Sequence, residues 1–131
     1  MALTSITYDT APDSGRYNSG VVTKAYDWIT DATTVEVAAA ASGYQHVVTG
    51  GWASGNCSGA DEYLTFLSGT TEICRFYFNS GEEGYIRLPV PMHTNTGEKL
   101  EVQKSGAASS IFLHLDYVTI KPGAYLGVVG V

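Results

Sequence analysis

The sequence predicts an all-β domain, a sandwich or barrel of eight or nine antiparallel strands. Three observations lead there. Short runs rich in Val, Ile, Tyr, Phe and Thr recur at roughly 8–14 residue intervals. Gly, Ser, Asn and Asp punctuate them, and the fifteen glycines supply positive-φ positions for tight turns. Helical periodicity is nearly absent. The one candidate is TTVEVAAAASGYQHVV, where Val35, Val37, Val47 and Val48 favour strand against the helix-prone Ala38–Ala41. A short helical turn around residues 38–42 stays open.

Taken in order, strands are expected at Ser5–Asp9, Gly20–Trp28, Thr33–Ala39, Gln45–Ala53, Glu62–Leu67, Glu72–Asn79, Gly84–Pro91, Lys99–Lys104 and Ser110–Lys121. In the third, Val35 and Val37 alternate with Thr34 and Glu36. The fifth and sixth read as a hairpin joined at Ser68-Gly69-Thr70, with Cys74 facing roughly Thr65. Along the sixth, Cys74, Phe76 and Phe78 share one face, while Ile73, Arg75 and Tyr77 share the wetter one. In the ninth, Ile111, Leu113, Leu115 and Tyr117 form an apolar row. Phe112, His114, Asp116 and Val118 form the opposite row, neither core-like nor plainly solvated. Mixed faces of that kind recur at subunit contacts.

The length of 131 residues suits one domain. Its N-terminal arm is expected over about residues 1–19, and an apolar tail over about 121–131, after Pro122 ends the last ladder. Seven basic and thirteen acidic residues give a net charge of −6. With no Lys/Arg cluster, a nucleic-acid partner is not expected. No apolar run approaches the ~18 residues of a membrane span, so no membrane partner is expected either. MALTSITYDT lacks the charged and apolar regions of a signal peptide, so synthesis in a cytosol is expected. Cys57 and Cys74 then read as free thiols, and the Asn56-Cys57-Ser58 sequon as idle.

Catalytic patterns are missing. There is no phosphate-binding glycine loop, nucleophile elbow or zinc-protease motif. His114 and Asp116 make the best local metal-like pair, but a metal needs three or four ligands and the sequence supplies no third. The His-x-His spacing of cupin metal sites is absent. Glu82-Glu83 and Asp61-Glu62 are adjacent carboxylates in turn-like stretches, with nothing to perturb one of them for acid–base work. Loop oxygens in DSGRYNSG or NSGEEG supply a poor calcium set. No enzyme activity, cofactor or metal is expected. Trp28 and Trp52, with nine tyrosines, are a heavy aromatic load. They suit core edges and oligomer contacts, or stacking on sugar rings.

One stretch carries a resemblance. YIRLPVPM leads through a turn into TGEKLEVQKSGAASSIFLHLDYVTI, and VEVAAAASGYQHVVTGGWASG with LTFLSGTTEI supplies the preceding strands. Over roughly residues 30–120 this resembles the small jelly-roll decoration (cement) proteins on the heads of tailed bacteriophages. The resemblance implies a jelly-roll β-sandwich, a homotrimer on the outer capsid surface, the major capsid protein as partner, and no catalytic residues. Phe112, His114, Asp116 and Val118 are then the expected subunit contact. Tyr125, Leu126, Val128, Val129 and Val131 of the apolar tail are the expected anchor on a neighbouring subunit or capsid, since they would be awkward exposed on a monomer; the alternative for the tail is that it adds an edge strand to its own sheet. The alternative is a carbohydrate-binding or host-recognition module of a phage tail or fibre, with Trp28 and Trp52 as stacking rings.

Overall fold

The structure, a computed structural model, describes residues 3–9, 21–56, 62–78, 83–87, 92–106 and 110–122. Ten strands run through them: β1 (Thr4–Asp9), β2 (Val21–Ile29), β3 (Thr34–Ala38), β4 (Gln45–Asn56), β5 (Glu62–Ser68), β6 (Thr71–Phe78), β7 (Glu83–Arg87), β8 (Met92–His93), β9 (Leu100–Lys104) and β10 (Ser110–Ile120). One sheet has the order β1-β2-β10-β4-β7, with β8 also on β4. The other has the order β3-β9-β5-β6. Every pairing is antiparallel. Strands close in sequence are thus split between the sheets, and β10 returns to lie between β2 and β4. That is the strand order of a jelly-roll β-sandwich. The tenth strand adds little, because β7 and β8 lie along the same edge of β4.

The core lies between the sheets and follows from period-2 alternation. β10 sends in Ile111, Leu113, Leu115 and Tyr117, and β2 sends Ala25 and Ile29. Facing them are Val35 and Val37 of β3, Leu100 and Val102 of β9, and Leu64 and Phe66 of β5. Lys104 takes the next inward position after Val102, and its Nζ donates to the Gly106 carbonyl. A lysine so enclosed needs an acceptor at its tip. No helix forms at Ala38–Ala41. The chain turns at Ser42-Gly43, where Gly43 has a φ of 82° and Tyr44 N–H donates to the Ala41 carbonyl.

Besides a register shift between Glu36 and Ala38 on β3, two bulges depart from simple alternation. In the β5–β6 hairpin, Ser68 pairs with Thr71 and Leu67 with Glu72, then Phe66 pairs with Cys74. Ile73 is the extra residue. Regular pairing would set Cys74 against Thr65, as the sequence suggested; the bulge moves it one place, onto Phe66. Cys74 therefore packs partly against the core and is free, and burial pushes its thiol pKa up. Cys57 lies outside the described residues. In the second bulge, Asp116 pairs with Gly50 but Tyr117 with Val48, leaving Thr49 unpaired. Val48 then packs in the core while Val47 points outward with Val118 and Ile120.

The β5–β6 turn is locked from outside. Gly69 has a φ of 58°, and its N–H donates to the Lys99 carbonyl at 2.9 Å. Glu98 accepts from Ser68 Oγ at 3.0 Å and from Asn95 Nδ2 at 2.8 Å. A Cβ on Gly69 would run into the Glu98 carboxylate. Gly69→Ala is therefore expected to cost more than the ~1–2 kcal/mol of left-handed strain alone. Gly43→Ala, with open space around its Cβ, is expected to cost about that strain and no more. Phe66→Ala, at a side chain with 0% exposure, is expected to lose about 3–5 kcal/mol. Urea unfolding midpoints of the three variants check this ranking.

Candidate functional site

The outward row of β10 meets outward rows from both neighbours. Phe112 pairs with Trp28 of β2 and Ser54 of β4; His114 pairs with Tyr26 and Trp52; Asp116 pairs with Lys24 and Gly50. Paired residues share a face, so three adjacent strands bring Trp28, Tyr26, Phe112, His114 and Trp52 together. Strands about 4.8 Å apart set the rings within contact.

The rings pack mainly on one another. His114 lies between Tyr26 and Trp52, with centroids at 6.0 Å and 5.4 Å and interplanar angles of 26° and 23°. Both faces of the imidazole are therefore covered. Phe112 meets Trp28 edge-on at 5.3 Å and tilts against Tyr26 at 6.3 Å and Trp52 at 5.8 Å. Trp28 stays 49% exposed, whereas Phe112, His114, Tyr26 and Trp52 are half-buried. Thr4 and Arg87 stand at the flanking register positions, opposite Tyr26 and Trp52.

One end of the ring cluster is closed by charge. Lys24 Nζ lies 2.7 Å from Asp116 Oδ1, across the β2–β10 pair. Gly50, opposite Asp116 on β4, leaves space there: a Cβ would sit 3.4 Å from Asp116 Oδ2. Beyond the ion pair, Val118 is 1% exposed in a separate cluster with Val47, Ile120 and Val22. Thus Phe112, His114 and Asp116 sit together as expected, while Val118 belongs to an enclosed apolar patch past the bulge. Tyr125, Leu126, Val128, Val129 and Val131 lie outside the described residues. Tyr26 and Lys24 were missed. The alternation Lys24, Tyr26, Trp28 is visible in KAYDW, but its partnership with β10 is not.

Asp116 is engaged by Lys24, and His114 is held by stacking. Among the described residues no group of three His, Cys, Asp or Glu side chains converges as a metal site. The outer face of the second sheet carries a smaller cluster: the Arg75 guanidinium lies 4.1 Å from the Tyr63 ring centroid and 2.6 Å from Glu72. Tyr77 packs on Tyr63 at 5.1 Å. That cluster satisfies its own charge.

No protein-family model matches the chain, and no curated protein matches it. Among solved structures it is similar to the insecticidal delta-endotoxin Cry8Ea1 from Bacillus thuringiensis, at 11% identity and a TM-score of 0.40. The alignment covers 74% of this chain and 20% of the toxin, so the chain spans about a fifth of the toxin's length.

The Lys24–Asp116 pair is about one-third exposed at each partner. A double-mutant cycle with Lys24→Met and Asp116→Asn is expected to give a coupling of about 0.2–1 kcal/mol, shrinking in high salt. Thermal unfolding at low and high ionic strength measures it.

Proposed function

We propose that this chain is a structural virion protein. It assembles as a homotrimer on the outside of a phage capsid and bridges neighbouring capsomers of the major capsid protein. It acts by binding, with no catalytic step. The observation that carries the reading is the five-ring face across β2, β10 and β4. It is charge-poor at its centre, half-buried and closed at one end by an ion pair, which is the make-up of a protein contact. The jelly-roll strand order agrees with the resemblance over residues 30–120. A rigid module that binds only the assembled lattice stabilises that lattice by mass action. The tail residues 124–131 are the second anchor in this reading.

A second reading is a glycan- or host-recognition module of a phage tail or fibre, favoured by the 49% exposure of Trp28 with Trp52 on the same face. The ring packing weighs against it. A sugar stacks on a ring face turned to solvent, and Trp52 and Tyr26 each turn a face to His114.

Light scattering on the purified chain is expected to give a trimer, and the chain is expected to co-sediment with assembled capsids. Trp28→Ala and Phe112→Ser are expected to weaken trimerisation by about 30-fold or more, as aromatic hot spots do, while retaining the β circular-dichroism spectrum. A strict monomer with no affinity for assembled particles overturns the proposal. Glycan binding that is lost in Trp28→Ala selects the second reading instead.

A further inference from the structure

His46 is 3% exposed, inside the sandwich, where the chain crosses from β3 to β4. Its Nε2 lies 2.7 Å from the Ala39 carbonyl oxygen, and its Nδ1 lies 2.8 Å from Thr119 Oγ1. A carbonyl only accepts, so Nε2 carries the proton. Nδ1 then keeps its lone pair and accepts from the Thr119 hydroxyl. The neutral imidazole thereby joins three parts of the chain: its own strand β4, the segment after β3, and the end of β10. The Tyr117 ring stands edge-on to it at 5.8 Å.

The backbone around it is tied to the same point. His46 N–H donates to Thr94 Oγ1 at 3.0 Å, and Thr94 N–H donates to the His46 carbonyl at 3.0 Å. Gly97 N–H reaches the Tyr44 carbonyl at 2.8 Å. Between β3 and β4, residues 39–44 therefore depend on the imidazole at one end and on Gly97 at the other.

We propose that His46 is an acid-sensitive latch. Protonation at Nδ1 forces the Thr119 hydroxyl to turn from donor to acceptor, and it places a charge in a buried site whose ring partners are a carbonyl and a hydroxyl. Residues 39–44 and the C-terminal end of β10 then loosen together, just before the chain passes into residues 121–131. Among the described residues, no carboxylate hydrogen-bonds the ring to hold the charge. The titratable groups near it are Tyr117 on β10, edge-on to the ring and itself influenced by Glu36 of β3, and His93 on β8, whose Nδ1 lies 2.9 Å from the Thr94 carbonyl oxygen. On β4 its neighbours Gln45 and Val47 are uncharged.

Burial lowers the His46 pKa below its usual value of 6.5. The opened state therefore binds the proton more readily, and stability rises with pH. The latch is fully set above about pH 6.5, weakens as pH falls below it, and is spent once pH passes the folded-state pKa.

Nitrogen-resolved NMR of the histidine rings, with amide exchange corrected for its intrinsic pH dependence, tests this. At pH 8 His46 is expected in the Nε2–H form. Below about pH 6.5 the opening equilibrium of the amides in 39–46 and 119–120 is expected to rise by up to about tenfold per pH unit. His46→Gln, if folded, is expected to remove that pH response, whereas His93→Gln and His114→Gln keep it. The proposal is overturned if the wild-type ring titrates at the ordinary histidine value while those amides stay unchanged, or if His93→Gln abolishes the response. The wild-type titration decides alone should His46→Gln fail to fold.

Discussion

Strand β10 is hydrogen-bonded on both sides, to β2 along residues 111–117 and to β4 along residues 110–120. Its inward row forms the middle of the core, and its outward row forms the middle of the aromatic face. Neither surface exists without that double pairing. Phe112 and His114 would otherwise be separate exposed rings; the neighbouring strands supply Trp28, Tyr26 and Trp52 at the spacing that makes a cluster. The same pairing brings Lys24 to Asp116 and delivers Thr119 to His46.

Much of this was legible in the sequence where period-2 patterning was strong. The split of β10 into Ile111, Leu113, Leu115 and Tyr117 against Phe112, His114 and Asp116 needed no more than alternation. The Val35 and Val37 row of β3 was read the same way. Alternation failed where a residue is inserted without changing composition. Ile73 and Thr49 look like ordinary strand residues, yet each is the bulge that shifts its partners by one. Pairing between distant strands was the other blind spot. KAYDW displays Lys24, Tyr26 and Trp28 on one face, but no local signal says that this face lies beside β10, where Asp116 is 92 residues beyond Lys24. Hence both tryptophans were singled out while the cluster they belong to was not.

Two buried basic side chains, Lys104 and His46, illustrate how the ends of the sandwich differ from its middle. At the centre, Leu64, Leu113 and Leu115 are fully buried in the apolar core. Towards the ends, strands leave the sheets and expose carbonyls that need donors. Lys104 serves the Gly106 carbonyl, and His46 serves that of Ala39. A polar side chain enclosed with its partner satisfies such a group without water. The difference is that lysine only donates, whereas the imidazole both donates and accepts, so its bond set depends on one proton.

The two-sided use of β10 also limits how the chain can change length. Inserting one residue between Phe112 and Asp116 would exchange the rows beyond it, turning leucines to solvent and rings or charge into the core. Inserting two would keep each row on its side and only slide the ladder by a pair. A drifting sequence can therefore lengthen or shorten this strand in even steps, whereas odd steps need a compensating bulge such as the one at Thr49. Parity, more than residue identity, decides which lengths this strand can take.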